Sequence, residues 1–425
     1  MISFEQALNI IRHRIQDSKI TPAIESVSLT SAGGRVLAED LAADRDYPPF
    51  HRSTRDGFAV KSADVSKTPA ALRVIGLARA GEPYSGSVAG SFAVEIMTGA
   101  PLPDGSDAVV MAEYTRELDP QTVDASVNRQ VEVLRAVAPW ENVVRRGSEA
   151  AAGGIVIARG RRLGPGEIGL AASVGKPELQ VFRRPTVAIL PTGDEVIAVD
   201  QQPAWFQVRN SNALALSAQV EAAGGAPRLC AIAPDEKAAL RGLIEEGLNC
   251  DLLLLSGGIS VGKYDFVAEV LAELGAEIYF QGVAIRPGKP LAFGRVRDKF
   301  FFGLPGNPVS TFVTFELFAR AALELLGGVP YQPAVFLKAR LAKPVRQKTG
   351  LMVFMPAHVA PRCESSTAAA DADCLTDPMV ELVGWQGSGD LAGLANANCF
   401  LVIPPRQTDL AAGDWVDVLP KSWRW

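Results

Sequence analysis

Short apolar runs alternate with amphipathic helical patterns between residues 186 and 327 of this chain. The apolar runs predict strands at 186–190, 228–233, 251–255, 277–281 and 299–303. The patterns between them predict helices at 212–223, 235–247, 263–274 and 308–326. Strands and helices that alternate at this spacing form a mostly parallel sheet with helices on both faces. We therefore predict a mostly parallel α/β domain, whose ligands bind beyond the carboxyl ends of its strands.

On both sides of this region the pattern changes to short strands and turns. A helix opens the chain, because Ser3 can cap it and Gln6 completes a capping box. From about residue 53 to 138, apolar runs such as 92–96 and 108–111 are separated by Gly and Pro clusters. We predict a compact β domain there, and a second β domain where the same pattern returns after about residue 330.

Composition narrows the class of protein. The chain has 425 residues, 48% hydrophobic and 21% charged, as in a globular protein of about three domains. A net charge of −5 argues against nucleic-acid or acidic-membrane binding, and no apolar run is long enough to span a membrane. Five cysteines without a C-x-x-C motif and three histidines argue against a zinc centre. We expect a cytoplasmic protein with no nucleic-acid or membrane partner.

Three glycine-containing loops follow predicted strands and precede helical patterns. They read PTGDE at 191–195, SGGISVG at 256–262 and GLPGNPVS at 303–310, and the cationic RPGKP lies at 286–290. Glycine lets backbone N–H groups approach an anion, and a helix N-terminus adds the positive end of a dipole. We therefore predict a pocket for a phosphorylated small molecule, with these substrate-binding residues: Thr192, Gly193, Asp194, Ser256, Gly257, Gly258, Ser260, Arg286, Lys289, Pro305, Gly306, Asn307 and Ser310.

Each loop also has a purely structural interpretation. The 286–290 loop is also compatible with an ordinary surface turn, and the serines with helix caps. Residues 257–263 match the G-x-x-x-x-G-K phosphate-binding motif, but Tyr264 stands where that motif needs Ser or Thr to bind Mg²⁺. A P-loop-like nucleotide hydrolase therefore remains only an alternative.

Acidic residues accompany the same loops. Asp194 and Glu195 lie in the first loop, Asp265 follows the second, and Asp235 follows another predicted strand. Carboxylates that face a phosphate repel it unless a cation lies between them, and Mg²⁺ is the usual cation of such sites. We predict that these four residues bind Mg²⁺. Capping of helix N-termini is the alternative for each of them.

Taken together, six sequence segments resemble the MoeA family, the molybdopterin molybdenumtransferases, to which the E domain of gephyrin also belongs. The segments are DGFAV at 56–60, MTGAPLP at 97–103, PTGDE at 191–195, SGGISVG at 256–262 with Asp265, RPGKP at 286–290 and GLPGNP at 303–308. The resemblance covers essentially the whole chain, and the order of the segments makes it specific.

The resemblance implies a multidomain α/β plus β fold in an elongated homodimer. It places a split N-terminal domain at 1–45 and 144–182, with a β-rich domain inserted at 46–143. A MogA-like α/β sandwich that binds molybdopterin would follow at 183–329, and a C-terminal β barrel at 330–425.

The resemblance also implies an enzyme that joins molybdate to adenylylated molybdopterin and releases AMP, assisted by Mg²⁺. Adenylyl-molybdopterin and molybdate would be its substrates, and a molybdopterin adenylyltransferase a further partner. The implied catalytic residues come from both protomers, with the first three reaching the cleft from the partner: Asp56, Thr98 and Glu149, then Glu195, Asp235 and Asp265.

Several positions depart from the family pattern. Arg52 and Arg55 add positive charge beside Asp56, where they either recruit molybdate or, in the case of Arg55, pair with Asp56. Ser148–Glu149 replaces a usual Glu-Asp pair, and Lys263 stands where an acidic residue is common. A non-catalytic molybdopterin-binding paralogue is therefore a second alternative.

Overall fold

The computed structural model describes residues 1–118, 129–258, 266–348, 350–360 and 377–421. Residues 1–182 contain two helices and thirteen strands, joined by short 3₁₀ turns. In chain order they are α1 (Phe4–Asp17), β1 (Ile24–Ser28), β2 (Val36–Leu37), β3 (Leu41–Ala42), β4 (Arg52–Ser53), β5 (Gly57–Val60), β6 (Ala70–Ala78), β7 (Phe92–Ile96), β8 (Ala108–Met111), β9 (Thr115–Leu118), β10 (Gln130–Val133), β11 (Val143–Val144), β12 (Ile155–Ile157), α2 (Pro165–Ser173) and β13 (Glu178–Phe182).

Two separate sheets organise this part of the chain. β1, β13 and β2 form one sheet, so that residues 24–37 pair with residues 178–182 across the long segment between them. The segment between them contains the six-stranded sheet β8-β5-β7-β6-β10-β9, with apolar side chains buried on both faces. The pairing of residues 24–37 with residues 178–182 is what a split domain with an insertion would show. The exact domain boundaries stay a prediction.

The next part of the chain alternates strands and helices, as predicted. Its elements are β14 (Thr186–Pro191), β15 (Val196–Ile197), β16 (Val208–Arg209), α3 (Ser211–Ala222), β17 (Ala226–Leu229), α4 (Lys237–Gly247), β18 (Leu252–Ser256), α5 (Phe266–Glu273), β19 (Glu277–Gln281), β20 (Ile285–Arg286), β21 (Ala292–Val296), β22 (Lys299–Leu304), α6 (Pro308–Thr314) and α7 (Arg320–Leu326). A π-helical turn, Phe315–Ala319, joins α6 to α7.

The α/β sheet has the order β17-β14-β18-β22-β21-β19. Its first four strands are parallel, and only β21 runs against both of its neighbours. Large apolar clusters cover both faces, which confirms the predicted mostly parallel α/β sandwich. The sequence interpretation missed β21, because the turn that joins it to β22 contains no glycine. Arg297 takes the left-handed conformation there instead, with φ 55°.

The C-terminal part is a small barrel with one helix. Its elements are β23 (Leu337–Leu341), β24 (Val345–Arg346), β25 (Met352–Ala360), β26 (Met379–Leu382), α8 (Leu391–Asn396), β27 (Cys399–Ile403), β28 (Asp409–Leu410) and β29 (Trp415–Pro420). Strands β25, β26, β23, β29 and β27 form a closed ring, because β27 pairs back with β25. This ring confirms the predicted barrel.

Helix α1 packs away from the small sheet of β1, β13 and β2. Ser3 caps it with Gln6 as predicted, but its apolar face contacts α7 and the barrel instead of that sheet. The ring of Phe4 lies 5.6 Å from that of Phe318 and 6.1 Å from that of Phe354. The helix thus joins the α/β core, although the sequence prediction grouped it with the split domain. Among the described residues, no helix is long and apolar enough to cross a membrane.

Candidate active site at the edge of the parallel sheet

Strands β14, β18 and β22 end level with one another at one edge of the α/β sheet. Pro191 lies opposite Ser256, and Ser256 opposite Leu304. The first residue of each of two following loops donates a backbone hydrogen bond to the end of the neighbouring strand. The N–H of Thr192 donates to the Ser256 carbonyl at 3.1 Å, and the N–H of Gly257 donates to the Leu304 carbonyl at 3.2 Å. The register of the sheet therefore brings the three glycine-containing loops together, as the sequence predicted.

A cavity of about 620 Å³ lies between these loops. Six of the predicted substrate-binding or catalytic residues line it: Thr192, Glu195, Ser256, Gly257, Gly306 and Asn307. The rest of its wall is made by residues that sequence reasoning did not select, namely Pro191, Val196, Val208, Arg209, Asn210, Ser211, Asn212, Pro308, Gly389 and Leu391. Gly389 and Leu391 come from the C-terminal part, so the cavity is closed by two different regions of the fold.

Glycine permits the closest contact between two of the loops. Gly257 has φ 103°, and a Cβ atom added there would lie 2.8 Å from the Thr192 carbonyl oxygen. Any side chain at this position would therefore strain its own backbone and push the two loops apart. Next to it, the Thr192 hydroxyl is only slightly accessible, since the residue is 5% exposed. That hydroxyl has no hydrogen-bond partner within the described part of the chain.

Asn212 joins the second and third loops. Its Nδ2 donates to the Gly306 carbonyl at 2.7 Å and to the Ser256 hydroxyl at 3.2 Å. Asn210, two residues earlier, caps α3 by accepting a hydrogen bond from the N–H of Ala213 at 3.1 Å. The first turn of α3 therefore faces the cavity, where the positive end of its dipole favours an anion. The Asn-Ser-Asn segment before a predicted helix was the available sequence signal for this wall.

Three of the predicted metal ligands are described, and they form an acidic cluster. Asp194 Oδ1 accepts a hydrogen bond from the N–H of Asp235 at 3.0 Å. Partial burial raises the pKa of Asp235, and the negative charges of Asp194 and Glu195 raise it further. Capping does not explain Asp235, since Glu236 occupies the N-cap position of α4 and its side chain makes no capping bond.

The metal prediction itself stays open. In residues 1–118, 129–258, 266–348, 350–360 and 377–421, no three His, Cys, Asp or Glu side chains are grouped closely enough to hold an ion. Asp265, the fourth predicted ligand, lies outside the described residues, and so does Ser260. The phosphate-binding motif of the P-loop alternative also falls largely on those residues.

Other predicted binding residues do not line the cavity. Arg286 and Lys289 are exposed at the two ends of their loop. Gly288 between them packs on α6, where an added Cβ would lie 2.5 Å from Thr314 Cγ2. Ser310 is buried in the same helix, and its carbonyl accepts a hydrogen bond from the Thr314 hydroxyl at 2.8 Å. Gly193, Asp194, Gly258 and Pro305 do not line the cavity either, but they follow or precede lining residues in the chain, and Asp235 contacts Asp194.

In the inserted sheet, Asp56 and Thr98 are in direct contact. Asp56 Oδ1 accepts hydrogen bonds from the Thr98 N–H at 2.6 Å and from the Thr98 hydroxyl at 2.9 Å. The N–H bond, followed by the hydroxyl bond, holds the pKa of the Asp56 carboxyl below its usual value. The residues come together because β5 and β7 pair antiparallel, with Gly57 opposite Ile96. The structure thus brings together Asp56 and Thr98, which the resemblance had assigned to the same site.

The arginines near Asp56 have different partners. Arg52 donates to Glu149 Oε1 at 2.9 Å, so one departure from the family pattern orients a predicted catalytic carboxylate. In the described part of the chain no ion pair joins Arg55 to Asp56. No hydrogen bond or ion pair among the described residues connects Asp56, Thr98 or Glu149 to the acidic cluster at the α/β sheet.

Three family models together match almost the entire chain. Residues 2–175 match the MoeA N-terminal region (domain I and II), and residues 338–421 match the MoeA C-terminal region (domain IV). Between them, residues 188–325 match a probable molybdopterin binding domain. These residues include every described loop that contributes to the cavity from the α/β sheet.

Full-length relatives agree with these profiles. A molybdopterin molybdenumtransferase of a Nostoc species is 33% identical over 434 residues, covering 99% of this chain and 94% of the relative. The enzyme of the same name from Bacillus subtilis is 32% identical and covers 94% and 92%. A crystal structure of a molybdopterin biosynthesis MoeA protein from Pyrococcus horikoshii OT3 has a TM-score of 0.76 at 26% identity, covering 99% of this chain and 100% of that one.

Proposed function

Because the chain belongs to the MoeA family, we propose that it inserts molybdenum into adenylylated molybdopterin. In this reaction molybdate joins the pterin dithiolene, and AMP is released. The family relationship identifies the chain as an enzyme of molybdenum cofactor biosynthesis. It favours neither a non-catalytic paralogue nor a nucleotide hydrolase.

The observation that carries this proposal is the cavity at the sheet edge. Its walls present N–H groups, hydroxyls, the Arg209 guanidinium and the first turn of α3, which are the groups that bind a diphosphate linkage. Asn212 holds two of the loops in register, so these donors are positioned before the substrate arrives. The unpaired Thr192 hydroxyl lies at the same edge as one further donor.

We assign a cation beside that diphosphate to the acidic residues of the first loop and their neighbours, a prediction that rests on the family resemblance and on their charge. Asp194, Glu195 and Asp235 would hold Mg²⁺ together with Asp265. Burial raises the pKa of Asp235 most, and the negative charges of Asp194 and Glu195, which add to this effect, are what such an ion would offset. When bound, Mg²⁺ supplies positive charge that offsets the charge of the phosphates. The chain's own contribution is to keep several carboxylates close together at the cavity edge, at a cost in mutual repulsion.

Asp56 supplies the complementary chemistry. Two bonds from Thr98 keep its carboxylate ionised and fix its orientation, as a proton acceptor requires. We assign Asp56 the proton of the water that attacks the adenylyl phosphorus, a step that breaks the phosphoanhydride bond and releases AMP from the phosphate of molybdopterin, and we assign Thr98 the role of orienting Asp56. As the family resemblance implies, the proposal includes a homodimer in which each protomer offers Asp56 to the partner's cavity.

The direct test measures AMP release from adenylyl-molybdopterin with Mg²⁺, in the presence and absence of molybdate. The proposal predicts AMP release that depends on both ions. Tight pterin binding without AMP release would instead support the non-catalytic paralogue. Hydrolysis of ATP in the absence of pterin would support the nucleotide hydrolase.

A further inference from the structure

A two-stranded ribbon rises from the wall of the cavity. β15 and β16 form it, and Val196, Val208 and Arg209 of these strands line the cavity directly. The N–H of Val208 donates to the carbonyl of Glu195 at 2.8 Å. The two strands run parallel, so residues 198–207 form a loop that leaves the end of β15, next to a predicted catalytic carboxylate, and crosses back to the start of β16 at the cavity wall. We call this crossover loop the tip.

The tip is held by its own hydrogen bonds. Gln207 closes a turn with Ala204, because its N–H donates to the Ala204 carbonyl at 3.0 Å and its Oε1 accepts from the Ala204 N–H at 3.0 Å. Arg209 Nε donates to the Gln201 carbonyl at 3.1 Å, which ties the other side of the tip to the cavity wall. The tip is thus ordered by bonds of its own and tied to the cavity wall by Arg209.

Two large aromatic side chains project from this tip without being covered. Trp205 is 96% exposed and Phe206 is 58% exposed. Their ring centroids lie 5.6 Å apart and their planes meet at 80°, so that the pair presents a ring face beside a ring edge. An indole that contributes almost nothing to the folded core is costly to leave in water, and such exposed aromatic groups mark binding sites.

The cavity itself lacks the aromatic side chains that the tip carries. Within the described residues, none of the side chains that line the cavity is aromatic. The substrate of the proposed reaction carries a flat heterocycle at each end, adenine and pterin, joined through the phosphates that the cavity would bind. Flat nitrogen heterocycles bind proteins largely by stacking on aromatic side chains.

We infer that Trp205, supported edge-on by Phe206, stacks on one planar ring of the substrate while the diphosphate occupies the cavity. This inference rests on the proposed function and adds a residue that positions the substrate and selects for a ring. Trp205 takes part in binding and does not touch the reacting atoms.

The test compares ring-bearing and ringless probes by titration calorimetry on the full chain. The probes are AMP, molybdopterin and ribose 5-phosphate, and the proteins are wild type, Trp205→Ala, Trp205→Phe and Val199→Ala. Val199 is the matched control, because it is a half-exposed apolar side chain on the same tip. Since Trp205 is almost fully exposed, its replacement does not disturb the core, which an unchanged melting temperature would verify.

We expect Trp205→Ala to weaken binding of AMP or of molybdopterin by about 5- to 100-fold. The affected probe identifies which ring is stacked. Ribose 5-phosphate should bind equally to all four proteins, and Trp205→Phe should retain most of the affinity. In turnover, Trp205→Ala should raise KM for adenylyl-molybdopterin by a similar factor with kcat unchanged.

Three results would overturn the inference. In the first, Trp205→Ala binds both ring-bearing probes as tightly as wild type. In the second, the substitution weakens the binding of ribose 5-phosphate as much as that of the ring-bearing probes. In the third, it changes only the dissociation constant of the dimer. The last result would identify the tip as a subunit contact. Failure of the proposed function looks different, because ring-dependent binding would then persist in calorimetry while wild type released no AMP.

Discussion

Asp56 and Asp235 are both predicted catalytic carboxylates, yet the fold places them in opposite environments. Asp56 accepts two hydrogen bonds from Thr98, which hold its pKa below the usual value. Asp235 is partly buried beside Asp194 and Glu195, which raises its pKa. Donors surround one carboxylate, whereas burial and like charges surround the other.

The difference indicates two separate tasks. A carboxylate stabilised by donors stays ionised at neutral pH without an ion, so it is free to take up a proton in the transition state, with less driving force than an ordinary carboxylate has. A carboxylate among other carboxylates is unfavourable until a cation arrives, so its repulsion favours metal binding. The inserted β sheet therefore presents a base, and the edge of the α/β sheet presents a cation site next to a diphosphate cavity.

The largest effect should come from removing the base. We expect Asp56→Asn to lower kcat by about 10²- to 10⁴-fold, because the amide keeps the shape of the side chain and cannot accept a proton. AMP affinity should not change, since the cavity lies in another part of the fold. Asp104→Asn, an exposed acid in the loop between β7 and β8 of the same sheet, is the control. A kcat close to wild type would remove Asp56 from the chemistry.

Asp235→Asn should act on the cation instead. We expect the Mg²⁺ concentration for half-maximal AMP release to rise by about 10- to 100-fold. Protonation competes with the ion, so wild-type Mg²⁺ affinity should fall as the pH drops through the raised pKa of Asp235. The variant should lack this part of the pH dependence. Asp200→Asn is the control, and equal Mg²⁺ curves for Asp235→Asn and wild type would contradict the metal assignment.

Gly257→Ala tests whether the cavity depends on the close contact between its loops. The added Cβ meets the Thr192 carbonyl oxygen at 2.8 Å in a left-handed backbone, which costs about 1–3 kcal/mol. We expect this cost to appear as a lower affinity for AMP. The kcat, which depends on Asp56, should stay close to wild type. Gly242→Ala is the control, because a Cβ in that helix meets nothing within 4 Å. Wild-type AMP affinity in Gly257→Ala would show that the contact does not shape the site.

The smallest effect concerns the donors on Asp56. Thr98→Ala removes the hydroxyl bond and keeps the N–H bond, so the pKa of Asp56 rises but only part of its stabilisation is lost. The acidic limb of the kcat/KM profile should therefore move to higher pH. Thr98→Ser should restore the wild-type profile, since it keeps the hydroxyl. A shift that Thr98→Ser also shows would indicate a packing effect of the methyl group.

Local patterns predicted the parts of the site that depend on consecutive residues. The alternation of strands and helices placed three loops at one sheet edge, and the register of β14, β18 and β22 brings them level. The sequence also marked the acids of the first loop and Asp235. These predictions succeeded because the carboxyl ends of neighbouring parallel strands must meet at the same edge.

Contacts between distant segments were not predictable in this way. Asn212 donates a hydrogen bond to the Gly306 carbonyl, and Leu391 reaches the cavity from α8, between two strands of the barrel, so neither contact leaves a local pattern. The Arg52–Glu149 pair likewise joins residues far apart in the chain. The exposed Trp205 was overlooked because periodicity identifies buried faces, whereas its exposure follows from the ribbon that carries it.

The central claim is that Asp56 of one protomer and Asp235 of its partner serve the same reaction. The most direct test mixes Asp56→Asn and Asp235→Asn chains, dissociates and reassociates the dimers, and measures molybdate-dependent AMP release. A shared site predicts recovery to about one quarter of wild-type activity, because half of the dimers are mixed and each mixed dimer contains one intact site. A mixture as inactive as its two parents, with mixed dimers verified by mass, would contradict the claim.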